Sequence, residues 1–260
     1  MLSVFLQGVP IFLLIFCRIT AFFIVAPIFS ARNIPAMFKI GLGFAMSLLI
    51  FSVHGSQQTI VATPEFILLI LKEILIGLLL GFIVYLFFAI VQTAGSLMDM
   101  QIGFAMANVI DPNTGVSAPL LGNFKYMVLM LYFLMLNGHH FLISGLMRSY
   151  EWIPLDNDFF AQLVDGNVTQ FLVLTFSNTF LIAMQVAAPL IVALFLTDVG
   201  LGFLTKSAPQ FNVFVVGIPL KIIIGLFLLT LFIPALTVLF EYLFSTMFQS
   251  LEQIISILQQ

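Results

Sequence analysis

Charge is what this chain has least of. Of 260 residues, 7% are Asp, Glu, Lys or Arg, against about 25% in an ordinary soluble domain. The 8 basic and 11 acidic residues leave a net charge of −3. No basic face exists to neutralise phosphates, so nucleic acid is excluded as a partner. One cysteine, Cys17, allows no internal disulfide and carries no redox-compartment signal. Three histidines beside that cysteine leave few ligands for a metal. The phosphate-binding glycine loop, the zinc-protease HExxH and the hydrolase GxSxG patterns are all missing, so neither a cofactor nor an enzyme is expected. Met1 to Cys17 has no basic start, and no small-x-small site follows before Pro27, so a cleavable signal peptide is not expected. No polar stretch is long enough to make a soluble domain.

What fills the space is apolar: 62% of the residues are hydrophobic and 31 are Phe. A soluble globule of this composition could not cover itself with polar surface, so the bilayer is the expected solvent. The expected fold class is all-α, a multi-helix integral membrane protein with broken or re-entrant helices. Six apolar segments approach the length needed to span: Val9–Phe29, Ile40–Val53, Phe66–Val91, Tyr126–Leu146, Thr169–Leu196 and Val213–Phe240. Pro189 is expected to kink or break the fifth, and Pro219 and Pro234 the sixth. Beyond Glu241, residues Phe244, Phe248, Leu251, Ile255 and Leu258 repeat at helical spacing. They predict a separate amphipathic helix without Lys or Arg, which favours packing on protein over lying on lipid.

Arg18, Lys72, Glu73 and Lys221 fall inside apolar segments, where each charge costs on the order of 2.5–3.5 kcal/mol. Lys72 and Glu73 are neighbours, about 100° apart on a helix, so each needs a partner elsewhere. Lys72 and Lys221 lie near segment ends, where a long stem can snorkel. Charge pairing that fixes helix assembly is favoured over a proton relay. Gly77 and Gly81 form a GxxxG that lets another backbone come close. His139 and His140 follow Asn137-Gly138; on a helix their rings diverge, which suits a packed polar break better than a metal site.

Two half-polar stretches interrupt the pattern, Gly95–Asn123 and Thr197–Phe211. They share Asp99-x-x-x-Gly103-Phe104 and Asp198-x-x-x-Gly202-Phe203, a weak internal repeat. In the first, Gln92, Ser96, Asp99 and Gly103 line one helical stripe, Met98, Met100, Phe104 and Met106 crowd nearby, and Asp111-Pro112-Asn113-Thr114-Gly115 is a turn signal. Irregular backbone at membrane depth survives only inside protein or along a watery cavity. Flexible methionines against such a cavity would make a deformable seal.

These stretches also carry a resemblance. Gly95-Ser-Leu-Met-Asp-Met-Gln-Ile-Gly-Phe104 followed by Asp111-Pro112 resembles the hallmark of the FliR family, integral-membrane subunits of the flagellar type III export apparatus. Leu136-Asn-Gly-His-His-Phe-Leu-Ile143 matches a second family stretch. Ala188-Pro-Leu-Ile-Val-Ala-Leu194, the run Asp198–Lys206 and Ala208-Pro-Gln-Phe-Asn212 match a third, which is also similar to the small FliQ subunit through Pro219-Leu-Lys221-Ile222. The resemblance implies a FliP-like part over 1–165 and a FliQ-like helical hairpin with its C-terminal helix over 166–260. It implies one copy in a helical assembly with FliP and FliQ chains, FlhB at its base, and unfolded flagellar proteins as cargo. The setting would be the bacterial inner membrane at the flagellar basal body. A pore plug maps to about Ala105–Gly122, with Met98, Met100, Phe104, Met106, Ile110, Asp111 and Pro112 as plug and gasket. Arg18, Lys72, Glu73, Asp99 and Lys221 are then assembly contacts. The alternatives are a small proton-coupled secondary transporter, with Arg18, Glu73 and Asp99 as relay charges, and, more remotely, an intramembrane hydrolase using a histidine with Asp99 or Asp111.

Overall fold

In the computed structural model, residues 2–31, 33–54, 66–104, 119–155, 159–210 and 212–259 are described. Among them every regular element is a helix: α1 Leu2–Val25, α2 Pro27–Ser30, α3 Ala36–His54, α4 Phe66–Ile102, α5 Leu120–Met135, α6 Gly138–Trp152, α7 Phe159–Val164, α8 Asn167–Ser207 and α9 Val213–Gln259. Five of these, α1, α3, α4, α8 and α9, are long and apolar enough to cross a membrane. The bent pair α5–α6 makes a sixth if it is one broken span. The protein is a multi-pass, all-α membrane protein.

Prolines and glycines set the joints. Pro27 forces Ala26 into extended backbone (φ −62°, ψ 122°), which ends α1 and opens α2 with proline in its first turn. The Pro35 carbonyl accepts from the amides of Phe38 and Lys39 at the start of α3. α4 ends on Gly103 (φ 103°), whose amide donates back to the Asp99 carbonyl. Between α5 and α6 the axis turns by 70°. Asn137 sits there at φ 57°, in the left-handed region that Asn tolerates better than most residues.

Several sequence expectations need correction. α8 runs unbroken through Pro189, and α9 through Pro219 and Pro234. A break in hydrocarbon would strand a whole turn of N–H and C=O groups, a larger cost than the one bond each proline removes. The stretch beyond Glu241 is therefore no separate helix but the last part of α9. Of its apolar stripe, Phe244, Ile255 and Leu258 are buried and Phe248 and Leu251 half-buried, so it packs on protein of this same chain. The half-polar stretches are largely helix too: α4 continues to Ile102 and α8 to Ser207. The fourth segment is two helices, not one.

The contacts divide the chain into two units. Unit 1 comprises Met1–Leu86, Phe133–Thr175 and Thr246–Gln260. In it the rings of Phe12 and Phe44 meet edge-on at 5.2 Å, joining α1 to α3, and Phe23 stacks on Phe29 at 4.4 Å. Unit 2 comprises Phe87–Tyr132 and Phe176–Ser245. There Phe88, Tyr126, Tyr132, Phe240 and Phe244 form a linked aromatic cluster. Much apolar helix surface is left open: of the most apolar 18-residue stretch of α9, 6% is buried within the chain.

Candidate functional site

In unit 1, α1 and α4 pack so closely that α4 has glycine, with no side chain, at the contact. A Cβ on Gly77 would fall on the Arg18 carbonyl oxygen and 2.9 Å from the Ala21 Cβ; one on Gly81 would lie 3.0 Å from the Val25 Cβ and 3.1 Å from the Phe22 carbonyl oxygen. The GxxxG thus receives a helix of the same chain, in the manner of small-xxx-small crossings.

This approach brings Arg18 and Glu73 together in the interior, both fully buried. Arg18 Nε donates to Glu73 Oε2 at 2.6 Å and Nη2 to Oε1 at 3.1 Å, a two-point fork. The other guanidinium N–H groups go to the end of α6. Nη1 donates to the Ser149 carbonyl and Oγ, both at 3.1 Å, and Nη2 to the Ile153 carbonyl at 3.0 Å. These contacts occupy all five donors of the guanidinium. Below it lies the Tyr150 ring, 4.1 Å from Cζ, whose hydroxyl donates to the Ile15 carbonyl.

Lys72 completes the knot. Its ammonium donates to the Leu155 carbonyl at 2.8 Å and approaches that of Pro154 at 3.4 Å. It also lies 3.9 Å from Glu73 Oε1, so the two neighbours do touch, at the long end of an ion pair. Lys72 does not snorkel: it is 1% exposed. Two cations therefore face the carbonyl-rich end of α6, where the helix dipole is negative, and one carboxylate lies between them. Desolvating these charges is costly, and the dense hydrogen bonding is what offsets that cost.

At the other end of α6, the Phe133 ring packs where a Gly138 side chain would stand. The rings of His139 and His140 do not diverge; their centroids are 4.2 Å apart in the first helical turn. His139 Nδ1 is buried without a hydrogen-bond partner among the described residues. Among the described residues no group of His, Cys, Asp and Glu could hold a metal.

In unit 2, Asp99 near the end of α4 caps the start of α5. Its carboxylate accepts from the Leu121 amide at 3.0 Å and the Gly122 amide at 3.4 Å. Gly95 and Gly122 touch backbone to backbone, with no room for a Cβ. Lys125 Nζ reaches Met98 Sδ. Asp198 on α8 accepts from Lys221 Nζ on α9 at 2.9 Å and from Gln101 Nε2 at 3.3 Å. The two repeat-like stretches thus differ in conformation: Gly103 ends a helix, while Gly202 lies inside one.

Of the gasket residues, Met98, Met100 and Phe104 are described. Met98 is buried, Met100 is 68% exposed and Phe104 is half-buried. Met106, Ile110, Asp111 and Pro112 lie outside the described residues. Sequence reasoning missed Ser149 and Tyr150, and the carbonyls of Ile153, Pro154 and Leu155. Asp198 stood out only as part of a repeat, and Lys125 not at all.

A family model described as bacterial export proteins, family 1, matches residues 9–247. The chain belongs to this family. Among its export-protein relatives, the flagellar biosynthetic protein FliR of Bacillus subtilis is 39% identical over 248 residues, 95% of each chain. FliR of Escherichia coli is 34% identical over 241 residues, 92% of this chain and 90% of its own. The Yop proteins translocation protein T of Yersinia pestis is 32% identical over 217 residues, 83% of this chain and 82% of its own. The likeness to an export family covers the charge knot, the Asp99 clamp and the bent α5–α6 pair alike. It disfavours the small-solute transporter reading.

Proposed function

We propose that this export-family protein is the FliR-type subunit of a type III protein export gate, a structural channel component rather than an enzyme. The observation that carries this reading is the near end-to-end similarity to a flagellar FliR over 95% of both chains. The open apolar faces of α3, α8 and α9 support it, because such faces need lipid or sister proteins to cover them. In this reading FliP and FliQ chains cover part of that surface, FlhB joins the assembly, and unfolded flagellar proteins pass through. The setting is the bacterial inner membrane at the flagellar basal body. Residues 1–165 are the FliP-like part and 166–260 the FliQ-like part.

The plug over about 105–122 belongs to the same reading. Asp99 and the Gly95–Gly122 contact support it by fixing the described ends of that stretch. Hydrophobic constrictions hold back ions by dewetting.

Native mass spectrometry of the tagged chain from mild detergent tests the assignment. It should emerge with two other small membrane subunits. A stable lone chain that moves a small solute in liposomes would overturn it. For the plug, deleting 105–115 should leave the assembly intact and ion-leaky; unchanged conductance would remove it.

A further inference from the structure

Unit 1 holds a groove of about 410 Å³ between α6 and the last turns of α9, within the roughly 300–1,000 Å³ of small-molecule sites. Its floor is apolar: Phe22, Leu80, Leu142, Leu146 and Ile255 are all nearly fully buried. Its rim is not. Arg148 on α6 and Glu252 on α9 both line the groove, and both are exposed. Neither forms a hydrogen bond or ion pair with any described residue, nor do they pair with each other. Trp152, half-buried, stands at the same rim one turn beyond Arg148.

We infer that this groove binds one zwitterionic phospholipid bearing a primary ammonium, of the phosphatidylethanolamine type. An acyl chain would cover the apolar floor. The phosphate would meet the Arg148 guanidinium, and the ammonium would donate to the Glu252 carboxylate. The charge pattern selects this headgroup. A purely anionic headgroup leaves Glu252 opposed by like charge, and a quaternary ammonium has no N–H to donate to it. Trp152 suits the headgroup level, where amphipathic rings collect. The inference needs the membrane but does not need the export role.

The test uses the full chain in mild detergent, incubated with vesicles of equal parts phosphatidylethanolamine and phosphatidylglycerol, and read by native mass spectrometry. Wild type should retain one phosphatidylethanolamine. Gly145→Leu should lower that retention by about tenfold or more, because Gly145 lines the groove and a Cβ there meets nothing within 4 Å. Its circular dichroism and elution should stay those of wild type. Glu252→Lys, on an exposed position, should shift retention toward phosphatidylglycerol. Absence of bound lipid in wild type, equal retention of both lipids, or an adduct indifferent to both substitutions would overturn the site. So would a polypeptide found in the lipid's place.

Discussion

Gly77 lies against the carbonyl oxygen of Arg18, the residue whose guanidinium grips Glu73 one turn earlier on α4. The close backbone approach of α1 to α4 and the buried ion pair are thus one construction. Without the glycine the helices must separate, and the fork between Arg18 and Glu73 lengthens with them.

Gly77→Ala should therefore destabilise the protein despite Ala's better helix propensity. Overpacking a fitted core costs about 1–3 kcal/mol. Gly145→Ala, where the added Cβ meets nothing, should gain up to about 1 kcal/mol from propensity alone. Thermal unfolding of both variants in the same detergent measures the opposite signs. A stabilised Gly77→Ala would show that α1 and α4 do not pack this closely.

Breaking the ion pair should cost more, and unequally. Removing one partner of a buried pair costs about 3–5 kcal/mol. Glu73→Leu leaves Arg18 and Lys72 facing each other without a carboxylate. Arg18→Met leaves Glu73 with Lys72, 3.9 Å away. Accumulation in the membrane should fall further for Glu73→Leu, and the double variant should recover part of the loss. Equal losses with no recovery would mean that the two charges are not coupled.

How far the sequence spoke depended on the kind of group involved. Arg18, Lys72 and Glu73 stood out because charge inside an apolar run has few explanations. Their main partners did not, since the carbonyls of Ser149, Ile153, Pro154 and Leu155 have no side-chain signature. The six apolar segments located the spans but not their ends. The polar residues that suggested loops, Asp99 and Asp198, are satisfied by distant partners, so α4 and α8 run on past Val91 and Leu196. Prolines 189, 219 and 234 were weighed by their cost in water, whereas hydrocarbon penalises a broken helix more. Asn137 and Gly138 marked a polar break whose 70° turn needed coordinates.

Asp99 should act as a local clamp. Replacing a helix-capping carboxylate by Ala costs about 0.5–2 kcal/mol. Asp99→Ala should speed hydrogen exchange at the Leu121 and Gly122 amides, the two that donate to it. Asp99→Asn, which keeps one acceptor oxygen, should fall between. Exchange in α1 should not change. Faster exchange throughout the protein would make Asp99 a general core residue instead of a cap.

Lys221 and Asp198 provide the contrasting case. Their contact is 2.9 Å, close to the Arg18–Glu73 distances, yet the side chains remain 18% and 42% exposed. Partly exposed pairs contribute about 0–1 kcal/mol, because solvent screens them and ordering two long side chains costs entropy. Lys221→Met should therefore lower the thermal midpoint far less than Glu73→Leu, although both remove one partner of a short ion pair. The Lys221→Met effect should also shrink at high salt, while that of Glu73→Leu should not. If the two losses proved equal, Lys221 and Asp198 would have to be shielded in the working protein by a covering absent from the single chain. That result would itself locate part of the surface that other subunits occupy.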